Sequence, residues 1–145
     1  MNIGELCNRD VIIANQSDSI VDIAQFMRKF HVGTVVVAES GEALGIITDR
    51  DIVLEIIAEE VPLDGCTASD IMSQVLVSVP ETTGIYETLQ IMKSKGVRRI
   101  PVVDDGGGLI GVFSSDDFIE FIAEQMGDLV SLMKRELRSE EAIRQ

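Results

Sequence analysis

The chain has no tryptophan, only three prolines and no long serine–glycine stretch, which leaves little room for a disordered arm. No apolar run approaches the roughly 18 residues of a membrane span. The opening MNIGELCNRD lacks the basic and apolar regions of a signal peptide. A cytoplasmic protein without a membrane partner is therefore expected. The two cysteines, Cys7 and Cys66, are not spaced as metal ligands, and in a reducing compartment both are expected as thiols. Basic residues are scarce: 12 against 25 acids give a formal charge of −13. Bulk nucleic acid and anionic membrane, as main partners, would be repelled. The single histidine, His31, has no serine or cysteine at a suggestive spacing and reads as a surface or capping residue. Glu59-Glu60, Asp104-Asp105 and Asp116-Asp117 read as solvated acids, because no histidine or recognisable loop accompanies them. With no nucleophile–base constellation, an enzyme is not expected.

What the chain does have is one pattern of about 50 residues written twice. Shifted by 65, Cys7 to Glu42 falls on Met72 to Gly107 without a gap. Ile20 then meets Ile85, Gln25 meets Gln90, Met27 meets Met92 and Val37 meets Val102. One extra glycine in Gly106-Gly107-Gly108 moves the shift to 66, after which Gly45 meets Gly111, Thr48 meets Ser114 and Asp51 meets Asp117. At 145 residues with 46 % hydrophobic content, the two copies are expected to share one core.

Within each copy the apolar spacing switches between helical and strand periods. Ile20, Ile23, Ala24 and Met27 recur at three and four, predicting a helix over 19–30 with Ser17 or Asp18 as cap, and its partner runs over about 83–95. Strands are expected at 11–14, 34–38 and 44–47, and again at 76–79, 100–103 and 109–113. Further helices follow at 49–59 and 115–126. The glycine-rich stretch Gly106-Gly107-Gly108 joins two strands and reads as a hairpin rather than a phosphate loop. The expected class is α+β, with two pseudo-symmetric β-α-β-β-α repeats at 5–60 and 71–126. A linker at 61–70, holding Pro62 and Asp64-Gly65, separates them.

Each copy ends in a glycine, two apolar residues, a hydroxyl residue and, three further on, an aspartate. A threonine or serine where a strand enters a helix points its hydroxyl, and the first-turn N–H groups, at one place suited to an oxyanion or a sugar hydroxyl. An aspartate one turn on can accept hydrogen bonds from both hydroxyls of a ribose. A helix cap with an acidic first turn explains the same residues. Charge adds to the first reading. Residues 128–145 hold four acids and four bases, so residues 1–127 carry 21 acids against eight bases, and three of those bases, Arg50, Arg98 and Arg99, sit beside the motif or at a strand entrance. They suit a small anionic ligand, or pair with nearby acids as ordinary surface arginines.

GIITDRD (45–51) and GVFSSDD (111–117), preceded by HVGTVVV (31–37) and GVRRIPVVD (96–104), resemble the signature and second strand of the cystathionine-β-synthase (CBS) domain. The resemblance covers about residues 5–126 and implies a free-standing CBS pair, or Bateman module. Such a module is a regulatory unit that senses adenine-containing nucleotides (AMP, ADP, ATP, NAD or S-adenosylmethionine) in clefts between its repeats, with no required cofactor. Carried over, the first cleft uses Ile46, Thr48 and Asp51 with Ser73, Val77, Arg98 and Arg99. The second uses Val112, Ser114 and Asp117 with Asn8, Ile12, Gly33 and Thr34. In each, two apolar side chains sandwich the base and the aspartate holds the ribose. Only the first cleft is offered arginines for phosphates. Cys7 and Met72 stand just before a position of polar contact to the base. The resemblance also implies a homodimer acting on a further protein. An interaction scaffold with empty clefts, and more weakly a nucleotide-processing enzyme, are the alternatives.

The tail from 127 departs from the repeat. Gly127-Asp128 reads as a stop and a new cap, followed by an amphipathic helix with Leu129, Val130, Met133 and Leu137 on one side. That stripe must be covered by the chain's own core, a second subunit or another protein.

Overall fold

The computed structural model describes residues 1–144. The chain divides into two compact units, Met1–Phe113 and the segment from Ser114 onward. The architecture is α+β.

The first unit runs α1 (Ile3–Leu6), β1 (Ile13–Ala14), α2 (Ile20–Phe30), β2 (Thr34–Glu39), β3 (Glu42–Thr48) and α3 (Asp49–Ile52), whose last turns widen to π-helix over Val53–Ile57. It continues with α4 (Ala68–Ile71), β4 (Ser73–Gln74), β5 (Val79–Pro80), α5 (Ile85–Lys95), β6 (Arg99–Val103) and β7 (Leu109–Ser114), whose last residue opens the second unit. Ser19 caps α2 by accepting from the Asp22 N–H at 3.1 Å. The helix ends at His31, whose left-handed φ of +52° is matched one repeat later by Gly96 at +66°. Ile20, Ile23 and Met27 on the inner face of α2 bury against Val35, Val37 and Ile47 of the sheet, each large side chain contributing roughly 1.5–3 kcal/mol. In the second copy Met92, Val79, Ile100, Val102 and Phe113 are buried likewise. Thr88, a buried polar residue there, donates its hydroxyl to Gly84 O at 2.8 Å, which removes the penalty of burying it.

The strands form two sheets, ordered β1-β2-β3-β4 and β5-β6-β7. The copies are interleaved, for β4 belongs to the second copy yet pairs antiparallel with β3 of the first. Asn8 of the first copy bridges Val112 of the second in the same sense. The symmetry extends to the short helices. Ile3 and Gly4 N–H donate to Thr83 and Glu81 O, while Ala68 and Ser69 N–H donate to Asp18 and Gln16 O. Each copy's leading turn thus seats on the other copy's helix entrance.

Several expectations need correction. The strand expected at 76–79 is displaced: β4 covers 73–74 and β5 covers 79–80, because the segment must pair first with β3 and then with β6. The strand at 11–14 shortens to β1 for the mirror-image reason. The linker at 61–70 ends in α4, where the Asp70 carboxylate accepts from the Thr67 N–H at 2.8 Å. The triple glycine, by contrast, is the hairpin turn expected of it, closed by Asp104, whose carboxylate accepts from Gly106 and Gly108 N–H at 2.9 and 2.8 Å.

In the second unit the expected stop at Gly127-Asp128 is absent. Helix α6 runs unbroken from Ser115 to Arg144. Gly127 takes no left-handed conformation, unlike Gly96. One interior glycine costs only about 1 kcal/mol, which the flanking helix formers tolerate.

Candidate functional site

The crossing of β4 onto β3 creates a cleft of about 340 Å³, within the roughly 300–1,000 Å³ usual for small-molecule sites. Every residue assigned to the first cleft lines it: Ile46, Thr48, Asp51, Ser73, Val77, Arg98 and Arg99. Ile46 and Ser73 are register partners, so one wall joins the two copies. Half-buried Ile46 and Val77 supply apolar surface, whereas Ser73 and Arg98 are exposed.

Thr48 and Asp51 sit where β3 becomes α3. They form a reciprocal capping box: Thr48 Oγ1 accepts from the Asp51 N–H at 3.1 Å, and the Asp51 carboxylate accepts from the Thr48 N–H at 2.9 Å. The capping explanation of these residues is therefore real. It does not exhaust them, because a carboxylate offers about four acceptor sites and the cap uses one.

Arg50, singled out with Arg98 and Arg99 as suited to a small anionic ligand, lines the cleft too, whereas sequence reasoning missed Gln74, Val75, Leu76, Val97 and Pro101. Leu76 and Gln74 carried no local signal, because only the exchange of β4 brings them here. Three arginines thus share one cleft. Among the described residues no hydrogen bond or ion pair engages their guanidinium groups.

The second set is placed as follows. Asn8 and Val112 are joined by two backbone hydrogen bonds of 2.9 and 3.0 Å. Ile12 is half-buried and its carbonyl accepts from the Val36 N–H. Thr34 opposes Thr48 across β2 and β3, and Gly33 O accepts from the Asp49 N–H at 3.0 Å. In the second unit, Ser114 and Asp117 repeat the capping box at 3.1 and 2.9 Å.

The signature glycines have a packing reason. A Cβ on Gly111 would meet Asn8 O and Cys7 Sγ at 2.7 Å, and one on Gly45 would meet Met72 Sδ at 2.5 Å. Each glycine makes room for the residue arriving from the other copy. Among the described residues no group of three His, Cys, Asp or Glu side chains is placed to hold a metal ion, and no helix is long and apolar enough to cross a membrane.

A family-wide sequence profile for the CBS domain matches residues 3–58 and again 68–124. The chain belongs to the CBS-domain family. It is 39 % identical over 121 residues to the uncharacterized protein MK0525 of Methanopyrus kandleri, covering 83 % of this chain and 62 % of that one. The match therefore spans under two thirds of that relative's length. The CBS domain-containing protein YhcV of Bacillus subtilis is 31 % identical over 117 residues, 80 % of this chain and 81 % of that. The same fold, at TM-score 0.73 and 21 % identity over 86 % of this chain and 98 % of the other, occurs in the CBS domain pair of protein MJ0100, solved in complex with 5′-methylthioadenosine and S-adenosyl-L-methionine.

Proposed function

We propose that this CBS pair is a regulatory module that binds a phosphorylated adenine nucleotide of the AMP, ADP or ATP class in the Thr48–Asp51 cleft. In this reading it acts as a homodimer and passes the binding event to another protein. The observation that carries the reading is the composition of that one cleft. Ile46 and Val77 offer apolar surface for a flat base, Asp51 retains acceptor sites for ribose hydroxyls, and Arg50, Arg98 and Arg99 bring three cationic groups to a chain of formal charge −13. Guanidinium groups bind phosphate through paired, charge-assisted hydrogen bonds. A cleft with that charge favours phosphates over the sulfonium of S-adenosylmethionine, although the fold in MJ0100 carries adenosine compounds.

The reciprocal cap between Thr48 and Asp51 favours a second reading, a scaffold in which these residues only hold the turn. Thermal shift with AMP, ADP, ATP, NAD, adenosine and S-adenosylmethionine separates the two, because a ligand selective for the folded state raises apparent stability. The proposal expects the phosphorylated ligands to shift the transition. No shift with any of the six at millimolar concentration would leave the scaffold.

A further inference from the structure

Within the first unit a second concavity, a groove of about 550 Å³, opens between the turn that joins β2 to β3 and the turn that joins β6 to β7. Its volume falls in the range usual for small-molecule sites. The first turn is tight, with Ser40 and Gly41 both left-handed at φ of +52° and +82°. The two turns are tied together, because the Leu109 N–H donates to Gly41 O at 3.1 Å. Backbone bonds therefore shape the groove before any ligand arrives.

Its chemistry is the reverse of the arginine-lined cleft. Gly106, Gly107 and Gly108 form one side, and such a run would cradle an anion if its N–H groups were free. All three are spent: Gly106 and Gly108 donate to the Asp104 carboxylate at 2.9 and 2.8 Å, and Gly107 donates to Asp104 O at 3.0 Å. No Lys, Arg or His lines the groove, and its one ionisable side chain is Glu42. Among the described residues no hydrogen bond or ion pair engages that carboxylate. The hydroxyls of Ser40 and Ser78 add further acceptor sites. Ala43, Val75, Leu76, Val77 and Val103 supply apolar surface, of which Leu76 is 62 % exposed. A ligand that satisfies this lining carries positive charge and N–H donors at one end and a hydrocarbon chain at the other.

We propose that the groove is a binding site for a primary alkylammonium compound, its ammonium group on the Glu42 carboxylate and its chain against the apolar residues. Val75, Leu76 and Val77 also line the Thr48–Asp51 cleft, so a ligand in the groove touches a segment that walls that cleft. The assignment is independent of what the cleft itself binds.

The test is a chemical-shift titration of backbone amides in the full, isotope-labelled chain without nucleotide. The probes are hexylamine, which is protonated at about pH 7 as a lysine side chain is, hexan-1-ol, which keeps the chain without the charge, and magnesium chloride, which keeps a positive charge without the chain. Hexylamine should shift the amides of residues 40–43, 75–78 and 106–108 saturably. Hexan-1-ol and magnesium should bind there at least roughly fivefold more weakly, as a charge-assisted hydrogen bond or the apolar contact is lost. Glu42→Gln should weaken hexylamine by a similar factor, roughly fivefold or more. Ser78→Phe, at an exposed position, should fill the groove and abolish the shifts, with circular dichroism confirming that both variants keep their fold. Three results would each overturn the site: no saturable shift at these turns, shifts scattered over the acidic surface, or an affinity unchanged by Glu42→Gln. Equal affinity for hexan-1-ol overturns the ammonium class, and equal affinity for magnesium overturns the role of the chain.

Discussion

Ile46 lies opposite Ser73 in the antiparallel pairing of β3 with β4. The first residue belongs to one CBS copy and the second to the other, and both line the cleft. The site therefore exists only when the copies have exchanged their leading segments. A ligand held there stabilises the interleaved state by mass action, which links occupancy to the pairing of the repeats.

Asp51 serves the cap and, in the proposed function, the ribose, so the substitution must separate the two. Asp51→Asn keeps an oxygen that can accept from the Thr48 N–H but loses the negative charge. It should weaken nucleotide binding by roughly 1.5–3 kcal/mol while shifting fold stability by less than about 1 kcal/mol. Asp51→Ala removes the reciprocal cap as well and should cost about 0.5–2 kcal/mol of stability besides. Calorimetric titration together with thermal melts of both variants checks this, and unchanged affinity in both would remove Asp51 from the site.

Arg98 and Arg99 line the Thr48–Asp51 cleft, while Gly33 and Thr34 hold the equivalent places in the first copy. Replacing both arginines with glutamine should weaken ATP and AMP by roughly tenfold or more, at about 1.5–3 kcal/mol for hydrogen bonds to charged groups, yet leave adenosine nearly untouched. Wild-type affinity for ATP should also fall between 50 mM and 500 mM salt. Equal losses for nucleotide and nucleoside would contradict a phosphate role for these side chains.

The signature glycines test the interleaving itself. Gly111→Ala drives a Cβ to 2.7 Å from the Asn8 carbonyl oxygen, a backbone atom fixed by the Asn8–Val112 bridge. Gly45→Ala meets instead the Met72 thioether, which can change rotamer. Gly111→Ala should therefore destabilise by about 1–3 kcal/mol, and Gly45→Ala by less. Urea denaturation of the two variants ranks them, and the reverse order would show that the Asn8 strand yields more readily than Met72.

How much of this was legible follows from what each feature depends on. The repeat, the α+β class and the helix from Ile20 to Phe30 follow from local spacing and are visible in the sequence. Of the residues lining the Thr48–Asp51 cleft, Ile46, Thr48, Asp51, Ser73, Val77, Arg98 and Arg99 were legible through the family resemblance and the doubled signature, whereas Gln74, Val75, Leu76, Val97 and Pro101 were not. The short turns at Ile3–Leu6 and Ala68–Ile71 were not, because four residues carry no periodicity and depend on bonds to the other copy. The exchange of Ser73-Gln74 onto the first sheet was hidden for the same reason. Gly127 was misread as a stop because a glycine ends a helix only where the backbone turns left-handed, as at Gly96, and sequence alone does not show which glycine does so.

Cys66 gives a pH dependence whose sign can be worked out. It packs in the core with Ala68 and Ile20, and burial pushes its thiol above the ordinary value, with the Asp70 carboxylate adding to the rise. A thiol is neutral when protonated, so the folded chain holds this proton more tightly than the unfolded chain does. The associated stability is fully present below the unfolded pKa, near 8.5, and is lost as pH rises through the higher folded value. Between about pH 8 and pH 10 the melting temperature of the wild type should fall more steeply than that of Cys66→Ala. The variant itself should lose about 1 kcal/mol at neutral pH from the small void it leaves. Melts of both proteins across that range decide the point: parallel curves would mean that the Cys66 thiol does not contribute to alkaline destabilisation.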